Sequence, residues 1–439
     1  MLEPLYTAEE MRAAEQGHDV DTMMAAAGKA VAEAVLRRFP EAKRVAAVCG
    51  NGANGGDGRI ALRILAEAGR ATTDELDGDA DVLIDALFGT GFHGEPRAEA
   101  AGQIERLNAA SVPVVAVDLP SGVDASTGEI AGAAVRADVT VTMHARKVGL
   151  VVAPGRFHAG EVEIADIGLE PGQTSHRLVS EEILKIVPRR RENDTKYTAG
   201  AVLVVGGSPG LTGAVCLAAE AAFRADAGYV AVAVPPAAVP VVEARLLEAV
   251  KAPLDRVDEV ARRASALAVG PGLGRGAEEH ELVRRLLSEQ TVPAVVDADA
   301  LFGLEPGEWP APRVLTPHAG ELGRLLDEDS SWVDAHRLAA VRRAVERYRC
   351  VVLLKGADTI VGAPGEDVLV CASGTPALAT AGTGDVLTGI IAAFLAKGMD
   401  ARLAAAAGAV AHGRAARLAP QQVGLVASDV IKALPRALG

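Results

Sequence analysis

Val45-Ala46-Ala47-Val48-Cys49-Gly50-Asn51-Gly52-Ala53-Asn54-Gly55-Gly56-Asp57-Gly58 joins a short apolar run to a glycine-rich turn, and a helical pattern follows at once. The apolar run reads as a strand, and the glycines after it let backbone come close to a ligand at a helix start, where phosphate is favoured. The spacing is not GxGxxG, so the turn is not the ordinary dinucleotide fingerprint.

Outward from this unit the same alternation recurs. In the first half we expect strands at 44–49, 81–86, 114–118, 138–143 and 162–165, with helices at 8–16, 22–39, 58–68 and 97–109. Thr7-Ala8-Glu9-Glu10 has capping-box spacing and marks a helix start. A polar segment with Pro and Gly, 168–175, reads as the domain linker. Further strands are expected at 201–206, 229–234, 266–269, 294–297, 313–315, 351–355 and 367–371. Strand–helix alternation implies a mostly parallel sheet covered on both faces, so the fold class is α/β with two sandwiches in series.

Composition supports two globular domains. The chain has 439 residues, 49% hydrophobic and 23% charged, and exceeds the size of one core. Aromatic residues are only 3%, so Ala, Val and Leu must build the cores. The longest apolar run, 403–411, is far short of a membrane span, and Met1-Leu2-Glu3-Pro4 carries no basic or apolar leader. A net charge of −14 argues against nucleic acid and anionic membrane as partners. Arg189-Arg190-Arg191 reads as a solvated domain edge. Cys49, Cys216, Cys350 and Cys371 show no CxxC spacing, so buried free thiols and a cytoplasmic location are expected. The nine histidines form no HExxH, and no zinc site is indicated.

Two further strand ends in the first half carry carboxylates: Asp85 leads to Gly89-Thr90-Gly91, and Asp118 to Leu119-Pro120-Ser121-Gly122. In a parallel sheet these ends share one crevice, where Asn54, Asp85, Asp118 and Ser121 could converge. Oxygen-only groups suit a hard cation, or a base held beside one, although each Asp alone is more simply a turn or cap residue.

In the second half, Ala379-Thr380-Ala381-Gly382-Thr383-Gly384-Asp385-Val386-Leu387-Thr388-Gly389 sets a glycine turn, a carboxylate and an apolar helix in succession. The turn's N–H groups and the helix start favour an anion, and Asp385 could take a proton from a hydroxyl attacking phosphorus. Four more strand ends carry loops of the same kind: 206–214, 269–274, 315–321 with His318, and 353–359 with Lys355. His318 alone would more simply be a capping or core residue, and Lys355 alone a solvated one.

The segments 50–58, 84–91 and 117–128 resemble the GNxxNGGDG, VDALxGTG and VDxPSGxDxxTG patterns of the NAD(P)H-hydrate epimerases, and the tail from Ala137 to Leu150 is similar to that family's. The resemblance covers most of residues 1–170 and implies a Rossmann-like, three-layer αβα domain. It implies that Ala53, Asn54, Gly55, Gly56 and Asp57, with Gly89, Thr90, Gly91, Phe92, His93, Gly94 and Glu95, hold the hydrated nucleotide, with Asp118 at the substrate as catalytic group. It also implies a potassium ion on Asn54, Asp85 and Ser121. Two departures stand out. Only 27 residues, 58 to 84, separate Asp57 from Asp85, so a strand and a helix are expected to be shortened or missing. Ala25 stands where the family often has an acidic residue.

Residues 178–439 resemble the ADP-dependent NAD(P)H-hydrate dehydratases, a ribokinase-like three-layer αβα domain. Carried across, Ala214, Gly272, His318 and Asp385 would contact the hydrated dinucleotide. Lys355, Gly356, Ala357, Asp358 and Thr359 would hold ADP, together with Thr375, Pro376, Ala377, Leu378, Ala379, Thr380, Ala381, Gly382, Thr383 and Gly384. Thr195 stands where the family commonly has His, and Asp226 where it often has Gly.

The resemblance implies a bifunctional repair enzyme for NADHX and NADPHX, an isomerase and a lyase, expected as a homo-oligomer. ADP would phosphorylate the substrate's ring hydroxyl with Asp385 as base, and the ring nitrogen would expel the phosphorylated oxygen to give NAD(P)H, AMP and phosphate. Magnesium is inferred because phosphoryl transfer usually needs a divalent ion. The glycine turn and Asp385 alone fit a small-molecule kinase, of a vitamin precursor or sugar, with a non-catalytic nucleotide-binding first domain. A sensor with vestigial sites is the non-enzymatic alternative, against which the intact Asp118 and Asp385 argue.

Overall fold

A computed structural model of the chain describes residues 1–76 and 78–439. The chain divides into one unit spanning Pro4–Arg177 and a second comprising Met1–Glu3 with Leu178–Gly439.

The first unit is built on a six-stranded sheet in the order Ala71–Thr73, Arg44–Cys49, Val82–Ala86, Val114–Val117, Val139–Met143, Glu161–Ala165, all pairs parallel. Side chains alternate along each strand, so the sheet needs cover on both faces. Val45 and Ala47 pack with Val31, Val35 and Leu65 from the helices Val20–Arg38 and Ala53–Glu67. Ala46 and Val48 pack on the opposite face with Ile104 and Leu107 of the helix Ala98–Ala109. The result is three αβα layers. The Thr7 capping box is present, with the Glu10 N–H donating to Oγ1 and Glu10 Oε2 accepting from the Thr7 N–H.

Two local expectations need correction here, and a third is met. The helix after the first strand begins at Ala53, not at Gly58, so most of the glycine turn is its first turn. The glycines make this possible by close packing: a Cβ on Gly55 would lie 1.9 Å from the Gly50 carbonyl, and one on Gly58 2.5 Å from Ala86 Cβ. The strand expected to be shortened or lost survives as the three residues Ala71–Thr73, but no helix follows it before Val82 among the described residues. The strand 114–118 ends at Val117 because Asp118 turns to φ +66°, a left-handed conformation that costs a non-glycine residue energy.

The second unit carries a run of parallel strands in the order Val351–Leu354, Arg313–Leu315, Ala294–Val296, Ala266–Val269, Ala201–Val205, Tyr229–Val234, Val250–Pro253. Thr359–Gly362 lies antiparallel between Val351–Leu354 and Val368–Cys371, making the sheet mixed. Leu2–Leu5 and His176–Val179 complete the sheet at this edge. Those two, with Thr359–Gly362 and the opposite edge strand Val250–Pro253, escaped sequence reading; each is 4 residues long.

The helix Thr383–Ala396 is central: 12 of its 14 residues are buried, so it has no solvent face to reveal a helical period. Its neighbours approach to backbone contact. A Cβ on Gly389 would lie 2.1 Å from the Ala218 carbonyl of the helix Thr212–Arg224. A Cβ on Gly408 of the helix Ala401–Leu418 would lie 2.5 Å from the Ile391 side chain. Small residues substitute here for the aromatic side chains the composition lacks. Asp226, where glycine was expected, adopts φ +71°. Lys397 Nζ at 2.6 Å and Arg190 Nε at 2.7 Å hold its carboxylate and offset that strain.

Candidate active sites

In the first unit a cavity of about 1090 Å³ opens at the carboxyl ends of the strands. Its walls include Ala53, Asn54 and Asp57, the residues 89–93, Glu95 and Asp118. Gly55, Gly56 and Gly94, also expected there, are not among its walls. Gly55 packs on Gly50, and Gly56 leaves room for the Met24 methyl. The Phe88 and Phe92 rings stack at 4.6 Å and both face the cavity.

The left-handed Asp118 turns its carboxylate onto a buried lysine. Lys147, with no solvent exposure, donates from Nζ to Asp118 Oδ1 at 2.5 Å, to Thr142 Oγ1 at 3.0 Å and to the Met143 carbonyl at 2.7 Å. The Thr142 hydroxyl and the Met143 N–H also donate to Oδ1, each at 3.2 Å. Every proton of the ammonium therefore has an acceptor, as burial of a charge requires. Glu15 faces the same cavity, where burial and then the Asp118 charge hold its carboxyl above the ordinary range.

Asp85, Ser121 and Asn54 come together one layer below. Ser121 donates to Asp85 twice, from Oγ to Oδ1 at 2.6 Å and from its N–H to Oδ2 at 2.7 Å. The Phe88 N–H donates to Ser121 Oγ at 2.9 Å, and Asn54 Nδ2 donates to the Phe88 carbonyl at 2.9 Å. Burial pushes Asp85 up to about 6, against the hydrogen bonds from Ser121 and Leu87. Among the described residues this carboxylate has no cationic side chain beside it. A hard monovalent cation among carboxylate, hydroxyl, amide and carbonyl oxygens would supply the missing charge, so the donor set fits potassium.

In the second unit Asp385 lies in the first turn of the helix Thr383–Ala396, behind Gly382 at φ +88°. No side chain caps this helix, so its first N–H groups remain available to an anion. The hydroxyls fold the preceding loop instead. Thr383 donates to the carbonyls of Leu378 and Thr380, both at 2.8 Å, Thr380 to that of Ala377, and Thr375 caps the short turn Pro376–Leu378. Burial and then the Asp297 charge push Asp385 up to about 7, with Lys355 opposing.

Lys355 Nζ reaches Asp297 Oδ1 at 2.8 Å and Glu321 Oε2 at 3.7 Å, and Thr388 Oγ1 donates to Asp297 Oδ2 at 2.7 Å. Burial pulls the lysine pKa down, but the Asp297 and Glu321 carboxylates outweigh it and hold it above the ordinary value. A Cβ on Gly384 would lie 3.5 Å from Lys355 Nζ, which places the glycine turn against this cluster. His318 is a helix cap: its Nδ1 accepts from the N–H groups of Gly320 and Glu321, and Glu321 Oε2 accepts from the His318 N–H. With Nδ1 accepting, the neutral ring carries its proton on Nε2, 3.4 Å from Glu321 Oε1. Burial keeps the ring pKa below its ordinary value.

Ala214 and Gly272 meet, since a Cβ on Gly272 would sit 3.3 Å from Ala214 Cβ. Asp358 is buried, and its carboxylate takes the Arg337 Nε at 3.0 Å. Arg337 Nη2 also donates to the carbonyls of Lys355 and Asp358, beneath a glycine, Gly356, whose Cβ would strike it at 2.2 Å.

Two family models match the chain: NAD(P)H-hydrate dehydratase over residues 202–436, and YjeF-related protein N-terminus over 20–73 and 68–149. The chain is 36% identical to the bifunctional NAD(P)H-hydrate repair enzyme Nnr of Moorella thermoacetica, over 95% of this chain and 92% of the relative. The chain belongs to the bifunctional NAD(P)H-hydrate repair enzymes. The Escherichia coli relative of the same name is 32% identical over 94% of this chain and 88% of its own. An ADP/ATP-dependent NAD(P)H-hydrate dehydratase from Bacillus subtilis, co-crystallised with ATP/Mg2+, superposes with a TM-score of 0.55 at 28% identity. That match covers 59% of this chain and 96% of the other. The two segments of the YjeF-related match overlap at 68–73, a stretch that contains the short edge strand Ala71–Thr73.

Sequence reading missed several residues that the structure brings against these candidate sites. Asp297 ends a strand, as Asp85 and Asp118 do, and the same rule would have found it. Glu321 stood in a quoted segment, and its i, i+3 spacing from His318 is a capping-box signal. Lys147 lay in the family-like tail with no local sign of its partner. Arg337 gave no signal, because its bond to Asp358 spans a helix and a strand.

Proposed function

We propose that the protein repairs hydrated nicotinamide nucleotides. The first unit, residues 1–170 by sequence, interconverts the R and S epimers of NADHX and NADPHX. The second, 178–439, dehydrates the S form to NAD(P)H while ADP becomes AMP and phosphate. The observation that carries this reading is Asp385: a half-buried carboxylate pushed up to about 7, set in the first turn of an uncapped helix. It is a base poised at neutral pH where an anion would dock.

In the dehydratase site Asp385 takes the proton of the ring hydroxyl as that oxygen attacks the terminal phosphorus of ADP. The N–H groups of Gly382, Thr383 and Gly384 stabilise charge on the transferring group. Ala214, Gly272 and the His318 Nε2–H border the hydrated ring. Lys355, Gly356, Ala357 and Thr359, with the loop 375–384, hold ADP, and Asp358 contributes by anchoring that turn to Arg337. Magnesium, when bound, offsets phosphate charge, and Asp297 and Glu321 beside Lys355 are the carboxylates that would hold it. In the epimerase site Asp118, fixed by Lys147, takes up the proton released as the C–O bond re-forms. Four unpaired thiols suit a reducing compartment, the cytoplasm.

Mixed NADHX epimers incubated with the protein and ADP should be restored completely to NADH, followed by absorbance. Without ADP no restoration is expected. Recovery of only part of the mixture would remove the epimerase assignment. No recovery, with phosphorylation of another alcohol, would favour the kinase.

The cation site gives a second expected result. Potassium should raise the unfolding temperature of the first unit relative to choline at equal ionic strength, and Asp85→Asn should abolish the difference. An equal response to both cations in the wild type would remove potassium from Asn54, Asp85, Ser121 and the Phe88 carbonyl.

A further inference from the structure

The cavity of the first unit holds a second carboxyl with no partner. Asp57, on the helix Ala53–Glu67, is 8% exposed, and its Oδ1 is buried without a hydrogen bond. Among the described residues it makes no ion pair. The charged groups that act on it are Asp118, after the strand Val114–Val117, and Glu15, from the helix Ala8–Glu15, both negative. Asp118 itself is matched by the Lys147 ammonium, whereas nothing matches Asp57.

A buried carboxyl with unmatched oxygens, beside another that is ion-paired, divides the two protonation states between two positions. We infer that Asp57 is the general acid of epimerisation, giving its proton to the departing ring hydroxyl while the Lys147-paired Asp118 serves as base. Burial, then the Asp118 charge, push its pKa up to about 7, in keeping with this role.

The inference rests on the epimerase reading and supplies its missing proton donor. The carbon–oxygen bond at the hydrated ring carbon breaks, and its electron pair leaves with the oxygen. That oxygen takes the Asp57 proton and departs as water. The ring nitrogen's lone pair forms the C=N bond, so no electrons enter or leave the substrate. Water then adds to the other face of the ring carbon, the C=N pair returns to nitrogen, and the released proton passes to the Asp118 carboxylate. Exchange with solvent returns the proton to Asp57.

Separated R and S epimers, followed by chromatography without ADP, report this unit alone. Asp57→Asn keeps the shape and neutrality of the protonated acid. It should lower kcat for interconversion by at least about 100-fold, the usual scale for a lost general acid, with KM changed less than about threefold. Asp57→Ala should be equally slow, and added imidazole, whose protonated form is abundant near neutral pH, should restore part of its rate while leaving the wild type unchanged. An Asp57→Asn variant within threefold of wild type would overturn the inference. So would an Asp57→Ala variant whose KM rises and which imidazole does not rescue. A wild-type protein inert toward both epimers would instead overturn the epimerase reading itself.

Discussion

Asp385→Asn is expected to lower kcat for ADP-dependent dehydration by about 1000-fold, some 4 kcal/mol of transition-state stabilisation. The amide is isosteric with the carboxylate but accepts no proton, so the attacking ring hydroxyl loses its base. The hydroxyls of Thr380 and Thr383 and the left-handed Gly382 shape the anion-binding turn without Asp385, so the turn should persist. ADP affinity should therefore be unchanged or tighter, because a negative charge beside the phosphates has gone. In the wild type the rate should rise as pH is raised toward about 7, since the folded-state carboxyl must ionise to act and its pKa lies well above the ordinary value. Steady-state kinetics and calorimetric ADP titration check both arms. A variant that retains a tenth of wild-type kcat would remove Asp385 as base, and a parallel collapse of ADP binding would make its role structural.

Lys147→Met is expected to cost the first unit twice. It leaves the Asp118 carboxylate, 10% exposed at its side chain, without the cation that compensates it. Breaking a buried pair from one side costs about 3–5 kcal/mol, and the lower end applies because Asp118 opens onto the cavity. Epimerisation should also fall by about 100-fold, because the base loses both its orientation and its counter-charge. The double variant Lys147→Met/Asp118→Asn removes both charges, so it should regain most of the stability and none of the activity. Denaturant unfolding of the four proteins forms a double-mutant cycle. Additive losses across that cycle would show that the two side chains do not act as a pair.

Much of the fold was legible. Continuous apolar runs such as Val45–Cys49 and Ala201–Val205 lie in parallel strands covered on both faces, where local pattern and tertiary environment agree. The misreadings have one physical source. Glycines within 53–58 look like a turn because glycine disfavours helix, yet the helix begins there. Only a side chain without Cβ lets it sit on Gly50 and Ala86, and that packing outweighs propensity. The edge strand Val250–Pro253 is short and ends in proline, so its identity as a strand comes from pairing with Tyr229–Val234. His318 looked like a lone site histidine or a cap. It is a cap whose other nitrogen still faces the carboxylate cluster.

The sequence by itself determined the order of strands and helices, the carboxylates at strand ends and the glycine turn before Asp385, because each is written in residues close together in the chain. Only the tertiary structure decided how those groups are charged and held. Asp118 meets Lys147, Lys355 meets Asp297, Arg337 claims Asp358, and Asp57 meets no partner. The reason is that desolvation and charge pairing depend on which side chains burial brings together across distant segments, and no local pattern of residue types carries that information.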